Sequence, residues 1–200
     1  MTEAAARARD AAIALVHTDI AKAEARAAAV DDPWYRAQAL AWVARYAPEH
    51  DVIRIARRAL QAAADCADPY QQAGSTAWVV RALLERGLRD DALTMLELAL
   101  QSVPRIDRTA SRSEALFLLF QAAFAVGEDV RRSLVFALAE AYDADPHWRV
   151  ERNFLDALRM LMPVDPTLAE KLARGGDEAR RARREEALAS GPLAPRVFFV

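Results

Sequence analysis

The sequence predicts an all-α chain, an α-solenoid (αα-superhelix) of about four to five helical hairpins, and three observations carry that prediction. The joints Asp32-Pro33, Asp68-Pro69 and Asp145-Pro146 each lead into a stretch rich in Ala, Leu and aromatics. Proline at the first helical position gives up an N–H that the helix would leave unbonded, and its φ is already helical, so each joint marks a helix start. With a fourth copy counted at Ile106-Asp107, the joints recur every roughly 36 to 39 residues, the length of a helical hairpin. Within that period, Ala41-Trp42-Val43-Ala44-Arg45 returns as Ala77-Trp78-Val79-Val80-Arg81.

The first helix of each unit is predicted over Pro33 to Ala47, Pro69 to Arg86, Arg108 to Val126 and Pro146 to Met162, where apolar residues fall at helical spacing. The second helix is predicted to start behind an aspartate cap at Asp51, Asp91, Asp129 and Asp165, with Asp19 opening an incomplete N-terminal copy. An aspartate there accepts free amide hydrogens of the first turn and sits at the positive end of the helix dipole. Eight residues beyond each acid stands alanine, at Ala27, Ala59, Ala99, Ala137 and Ala173, small enough for close helix packing. Gly87, Gly127, Gly175, Gly176 and Gly191 fall where left-handed helix ends are expected, and Gly74 lies inside a helix. No glycine remains for a phosphate-cradling loop, and neither nucleotide-binding fingerprint is present.

Composition bounds the partners. The chain has 200 residues, 54% of them hydrophobic, which is enough for a sizeable core, and its formal net charge of -2 supplies no field to attract polyanions, so nucleic acid is a poor candidate. The single cysteine, Cys66, rules out an intramolecular disulfide or a thiolate cluster and fits a cytoplasmic location. The run Ala11 to Val16 is too short and broken for a signal-peptide core. Ala115 to Val126, interrupted by Gln121, falls short of the roughly 20 residues that span a bilayer and reads as a buried helix.

From Leu84 to Pro104, the residues Gly87, Ala92, Leu96, Ala99 and Pro104 fall where tetratricopeptide (TPR) repeats place their small and hydrophobic signature residues. The segment resembles a TPR repeat, and the two-helix layout extends the resemblance over Asp19 to Ala173, with HEAT-like repeats as the other option. The resemblance implies a curved stack of hairpins whose inner surface binds a peptide or protein.

Two aromatic sets are candidates for that surface. Trp42 with Arg45, and Trp78 with Arg81, stand three residues apart on matching faces, but Leu116, Leu119, Leu155 and Leu158 replace them in later copies, which favours packing between repeats. A second set directly follows the joints: Trp34, Tyr35 and Arg36, then Tyr70, then Trp148 and Arg149. Equivalent positions of a stacked solenoid align, so this row is the expected partner-binding groove, against the simpler reading that these aromatics wedge the turns.

Other chemistry has little support. His17, His50 and His147 show no metal-ligand spacing, and the clusters Glu49-His50-Asp51 and Asp143, Asp145, His147 lie at turns where capping explains them, so no metal or cofactor is expected. Cys66 has no histidine near it in sequence, and no serine sits in a nucleophile elbow. Asp177 to Ser190 reads as a charged capping helix with Arg180, Arg181, Arg183 and Arg184 on a solvated face. The tail from Gly191 onward ends on Val197, Phe198 and Phe199, which are expected to dock, preferably on the chain itself.

The expected domain layout is one solenoid domain over residues 1–190 and an extended tail over 191–200. The expected function is non-catalytic binding of a peptide or protein segment by a monomer or weak homo-oligomer, away from membranes. Two alternatives are a HEAT-like solenoid enzyme acting on nucleic-acid bases or a pigment, and a structural subunit assembling through its tail.

Overall fold

A computed structural model describes residues 3–145 and 147–196 of the chain. These residues form eleven α-helices and no strand. Their contacts divide the chain into two compact units, Met1–Ile106 and Asp107–Val200.

The first unit holds α1 (Glu3–Ile13), α2 (Ile20–Ala28), α3 (Pro33–Tyr46), α4 (Glu49–Ala64), α5 (Pro69–Glu85), α6 (Arg89–Ser102) and a 3-10 turn at Val103–Arg105. Consecutive helices pack from α1 to α6, and α1, α3 and α5 also pack on one another in succession. That alternation makes each hairpin's first helix a shared wall with the next hairpin. Where the sequence leads one to expect an incomplete N-terminal hairpin, α1, whose start carries no Asp-Pro joint, packs against both α2 and α3.

The second unit holds α7 (Thr109–Ala123), α8 (Glu128–Ala144), α9 (Trp148–Leu161), α10 (Pro166–Ala173) and α11 (Glu178–Ala189). Here α9 is the hub, packing against α7, α8, α10 and α11. Among the described residues no helix is long and apolar enough to cross a membrane.

The caps follow local chemistry. Asp32 accepts from the amides of Trp34 (3.0 Å) and Tyr35 (3.4 Å), Asp68 from Tyr70 (2.8 Å), Asp19 from Lys22 (2.9 Å) and Asp165 from Leu168 (3.0 Å). Three predicted caps are corrected. Asp51, Asp91 and Asp129 lie inside the first turns of α4, α6 and α8, where the helix dipole still favours a carboxylate. Their caps are Pro48, Leu88 and Gly127, without a side-chain bond. Gly127 therefore opens α8 in an extended conformation, whereas Gly87 ends α5 in the predicted left-handed one, at φ +74°. The third joint also shifts. The Asp145 carboxylate accepts from the His147 amide at 3.1 Å, and the His147 ring then caps α9 by accepting from the Arg149 amide at 3.2 Å, so the helix starts at Trp148.

Alanine sets how closely the helices of the first unit approach. Ala23, Ala27, Ala37, Ala41, Ala44, Ala59 and Ala77 are fully buried, interleaved with Leu40, Val43, Ile55, Val79, Val80 and Leu83. Of the five spaced alanines, Ala27, Ala59, Ala99 and Ala173 are buried and Ala137 is half-buried. Larger side chains fill the second unit, where Phe120, Leu138, Tyr142, Phe154, Leu158 and Met160 are buried and the Tyr142 and Phe154 rings stack at 5.2 Å.

Charged side chains tie neighbouring hairpins. Glu24 on α2 bridges to Arg54 (2.6 Å) and to Arg58 on α4. The Arg54 hydrogen bond holds the Glu24 carboxyl below its usual range. A depressed carboxylate stabilises the fold above its unfolded pKa and loses that contribution as pH falls through the folded value. The melting temperature of the native chain should therefore exceed that of Glu24→Gln near about pH 7, with the gap closing below about pH 4. Paired thermal melts across that range check this; a gap that persists in acid would contradict it.

Candidate interaction surfaces

In the first unit the joints bring Trp34 and Tyr70 together: their rings stack at 5.9 Å and 25°, one from the start of α3 and one from the start of α5. This is the alignment of equivalent repeat positions that the sequence implies. Both rings are half-buried. The Arg9 guanidinium sits 5.2 Å from the Tyr35 ring, and Arg36 donates to the Val30 carbonyl (3.2 Å) and pairs with Asp65 (3.1 Å). Tyr35 and Arg36 thus brace α3 against its surroundings, whereas Trp34 and Tyr70 lie against each other.

The Trp42 and Trp78 set belongs to the packing. Trp78 is buried, and Arg45 covers Trp42 at 4.2 Å. Glu85 binds both repeat-equivalent arginines, Arg45 at 2.5 Å and Arg81 at 2.6 Å, and so occupies the surface they would have offered and offsets half of its charge while tying α3 to α5.

In the second unit, a cleft of about 460 Å³ lies between α9 and α11, lined chiefly by Trp148, Arg152, Leu155, Asp156, Arg159 and Arg183. Trp148 is 58% exposed, the most exposed large hydrophobic residue among those described. Its ring carries the guanidinium groups of Arg149 at 5.2 Å and Arg152 at 5.6 Å. An exposed indole flanked by cations is a surface that attracts carboxylates and a second aromatic ring. The charges of the cleft are arranged asymmetrically. The side chains of Arg183 and Arg152 are 62% and 46% exposed, whereas Glu151 and Asp156, which pair with Arg183 and Arg159, are only 16% and 15% exposed. The Arg183 and Arg152 side chains thus reach solvent above Glu151 and Asp156, whereas Arg159 is only 27% exposed and Glu186 is an exposed carboxylate on the same lining.

The wall formed by α11 corrects the reading of a purely solvated cap. Arg184 is 3% exposed. Its guanidinium lies 5.0 Å from the rings of both Tyr142 and Phe154, pairs with Asp143 at 2.8 Å and donates to the Leu172 carbonyl at 2.9 Å. Arg183 pairs with Glu151 at 2.6 Å and Arg180 with Asp143 at 3.4 Å. A helix with few large apolar residues is held down by ion pairs from three of its arginines, and the buried stem of one of them, Arg184, does the work usually left to leucine.

No family model, curated protein or solved structure matches this chain. The functional reading therefore rests on its own geometry.

Of the expected aromatic row, Trp34 lies against Tyr70 in the first unit, and Trp148 lies against Arg149 in the second. Of the cleft residues, Arg152 and Arg159 escaped the sequence reading, which places Leu155 among packing residues and Arg183 on a solvated cap. Trp148 at position i and Arg152 at i+4 was the available signal, since they share a helix face. Among the described residues no group of three or more His, Cys, Asp or Glu side chains is placed to hold a metal ion. His17 packs on Tyr46 at 4.5 Å, and His50 contacts Asp51 at 3.3 Å. Cys66 is buried and its thiol is pushed up to about 11, mainly by burial, so it stays neutral and unreactive at neutral pH. Val197, Phe198 and Phe199 lie outside the described residues.

Proposed function

We propose that the protein is a non-catalytic interaction module built from TPR-like helical hairpins, and that the α9–α11 cleft takes an acidic, aromatic-containing peptide segment. The repeat reading is supported by the alternating packing of α1, α3 and α5 and by the burial of Ala92, Leu96 and Ala99 behind the left-handed Gly87. The observation that carries the binding reading is Trp148, an indole left in solvent with two guanidinium groups against it at the mouth of a cleft. Tryptophan is highly buried on average, and an exposed indole at the mouth of a cleft is where an aromatic anchor is most often used in recognition. Trp148 would anchor an aromatic or aliphatic side chain of the segment, and Arg149, Arg152 and Arg183 would receive its carboxylates through charge-assisted hydrogen bonds.

Selection of a displayed random-peptide library on the full chain, with counter-selection on Trp148→Ala, tests this. Enrichment of segments carrying Asp or Glu around an aromatic residue is the expected result. Enrichment of basic or charge-free segments, or none above an unrelated control protein, would overturn the reading and return the enzyme alternative to the front.

A further inference from the structure

Three features of the second unit make little sense apart. Gln121 interrupts the apolar run of α7 and is buried. Pro163 stands four residues after Arg159, where a helix would place the amide that satisfies the Arg159 carbonyl, and proline has no N–H to give. The segment after α11 reads Gly191-Pro192-Leu193-Ala194-Pro195-Arg196, with prolines three apart.

The structure joins them. The Leu193 amide donates to the orphaned Arg159 carbonyl at 3.2 Å, Arg159 Nε donates back to the Gly191 carbonyl at 2.9 Å, and the Arg196 amide donates to Gln121 Oε1 at 3.0 Å. Each buried or orphaned polar group on the helices is thus met by main chain of the segment, which no apolar packing would require. The two donating amides, of Leu193 and Arg196, each directly follow a proline. A polyproline II helix has three residues per turn and rises about 3.1 Å per residue, so these amides fall on one face about 9 Å apart. Packed helices lie about 8–10 Å apart, and α7 packs directly on α9. One polyproline turn therefore spans the step from the α9 acceptor to the α7 acceptor.

We infer that the α7–α9 face is a docking site for an extended Pro-x-x-Pro segment read through its main-chain amides, and that its occupant is the chain's own 191–196 segment held in cis. This inference goes beyond the acidic-segment reading and stands on different atoms. The two meet only at Arg159, which lines the cleft and is engaged by the tail. Prolines preset the backbone of the segment, so docking forfeits little conformational entropy for three hydrogen bonds.

The test uses the full chain and three full-length variants. Leu193→Pro removes the amide that meets Arg159, Gln121→Leu removes the acceptor on α7, and Ala194→Gly serves as a tail control that touches neither bond. Amide hydrogen exchange followed by NMR should show Leu193 and Arg196 protected at least about tenfold relative to a free peptide of residues 188–200, with Arg196 protection lost in Gln121→Leu and largely kept in Ala194→Gly. A fluorescein-labelled peptide of residues 189–200 should bind Leu193→Pro at least about tenfold more tightly than the unmodified chain, because the cis segment there lacks the Leu193 amide and competes less for the face. Amides of Leu193 and Arg196 that exchange in the full chain as fast as in the free peptide would overturn the inference. So would equal binding of the labelled peptide to both chains, or binding of a version with the prolines moved out of three-residue spacing. Protection that appears only as the chain doubles in mass would overturn the cis assignment. None of these outcomes depends on whether an acidic segment binds the cleft.

Discussion

Truncating Arg184 to alanine should lower the unfolding free energy by about 2–4 kcal/mol, a larger loss than an ordinary surface arginine would give. The side chain lies at 3% exposure between the rings of Tyr142 and Phe154, and its guanidinium satisfies both Asp143 and the Leu172 carbonyl. Truncation leaves a cavity under α11, forfeits two cation–π contacts and removes one donor to the Leu172 carbonyl, which keeps the Gly175 amide at 3.3 Å. Because Asp143 is about half exposed and keeps Arg180 at 3.4 Å, its charge is not left buried and unpaired, which keeps the expected loss below that of a fully buried pair. Arg184→Met retains the stem and should recover part of the loss.

The same site predicts a coupling. A Cβ added at Gly175 would stand 2.9 Å from Arg184 Nη1, so Gly175→Ala must push the guanidinium off its partners. Urea denaturation should show Gly175→Ala as destabilising in the native chain and nearly neutral in Arg184→Met, a coupling of about 1 kcal/mol. Equal effects in both backgrounds would mean that Arg184 is not pinned as described.

Trp148→Ala should weaken binding of a selected acidic segment by about 30-fold or more, the loss typical of a central aromatic anchor of about 2 kcal/mol, while shifting stability by no more than about 0.5 kcal/mol. The two outcomes separate because the indole is 58% exposed and contributes little to the folded core. Arg152→Gln should cost less, since Arg152 is shared with Glu114 at 2.8 Å and only part of its charge is available to a ligand. Titrations by fluorescence anisotropy, paired with thermal melts of each variant, check both. A collapse of stability in Trp148→Ala would move this residue from the binding surface into the packing.

What the sequence disclosed and what it hid have physical reasons. The Asp-Pro joints disclosed helix starts because proline and an N-cap act over three or four residues, and α3 and α5 begin where their joints lie. Acids alone were weaker markers. Asp51, Asp91 and Asp129 are equally comfortable within the first turn, since the dipole acts there without fixing a boundary. The first helix, α1, went unnoticed because it has neither joint nor proline. The pairing of Trp34 with Tyr70 was legible because equivalent repeat positions come together in space. By contrast, the cleft depends on α11, whose Arg-rich sequence reads as solvated until tertiary contacts show which guanidinium groups turn inward. Arg184 and Arg181 are indistinguishable by residue type, yet one is buried and the other exposed. Gln121 and Pro163 are likewise ordinary irregularities along the chain, and they acquire meaning only when the 191–196 segment is seen bonded to the Gln121 side chain and to the Arg159 carbonyl that Pro163 leaves without its helical amide.

The four tryptophans supply four indole N–H reporters, at Trp34, Trp42, Trp78 and Trp148. The most direct test of the interaction reading is to titrate the full chain with an acidic, aromatic-containing peptide from the selection and follow those four signals by NMR. Binding in the α9–α11 cleft predicts that the Trp148 signal moves in a saturable way while those of Trp42 and Trp78 stay in place. A Trp148 signal that remains still through saturation would contradict the assignment of this cleft as the peptide site.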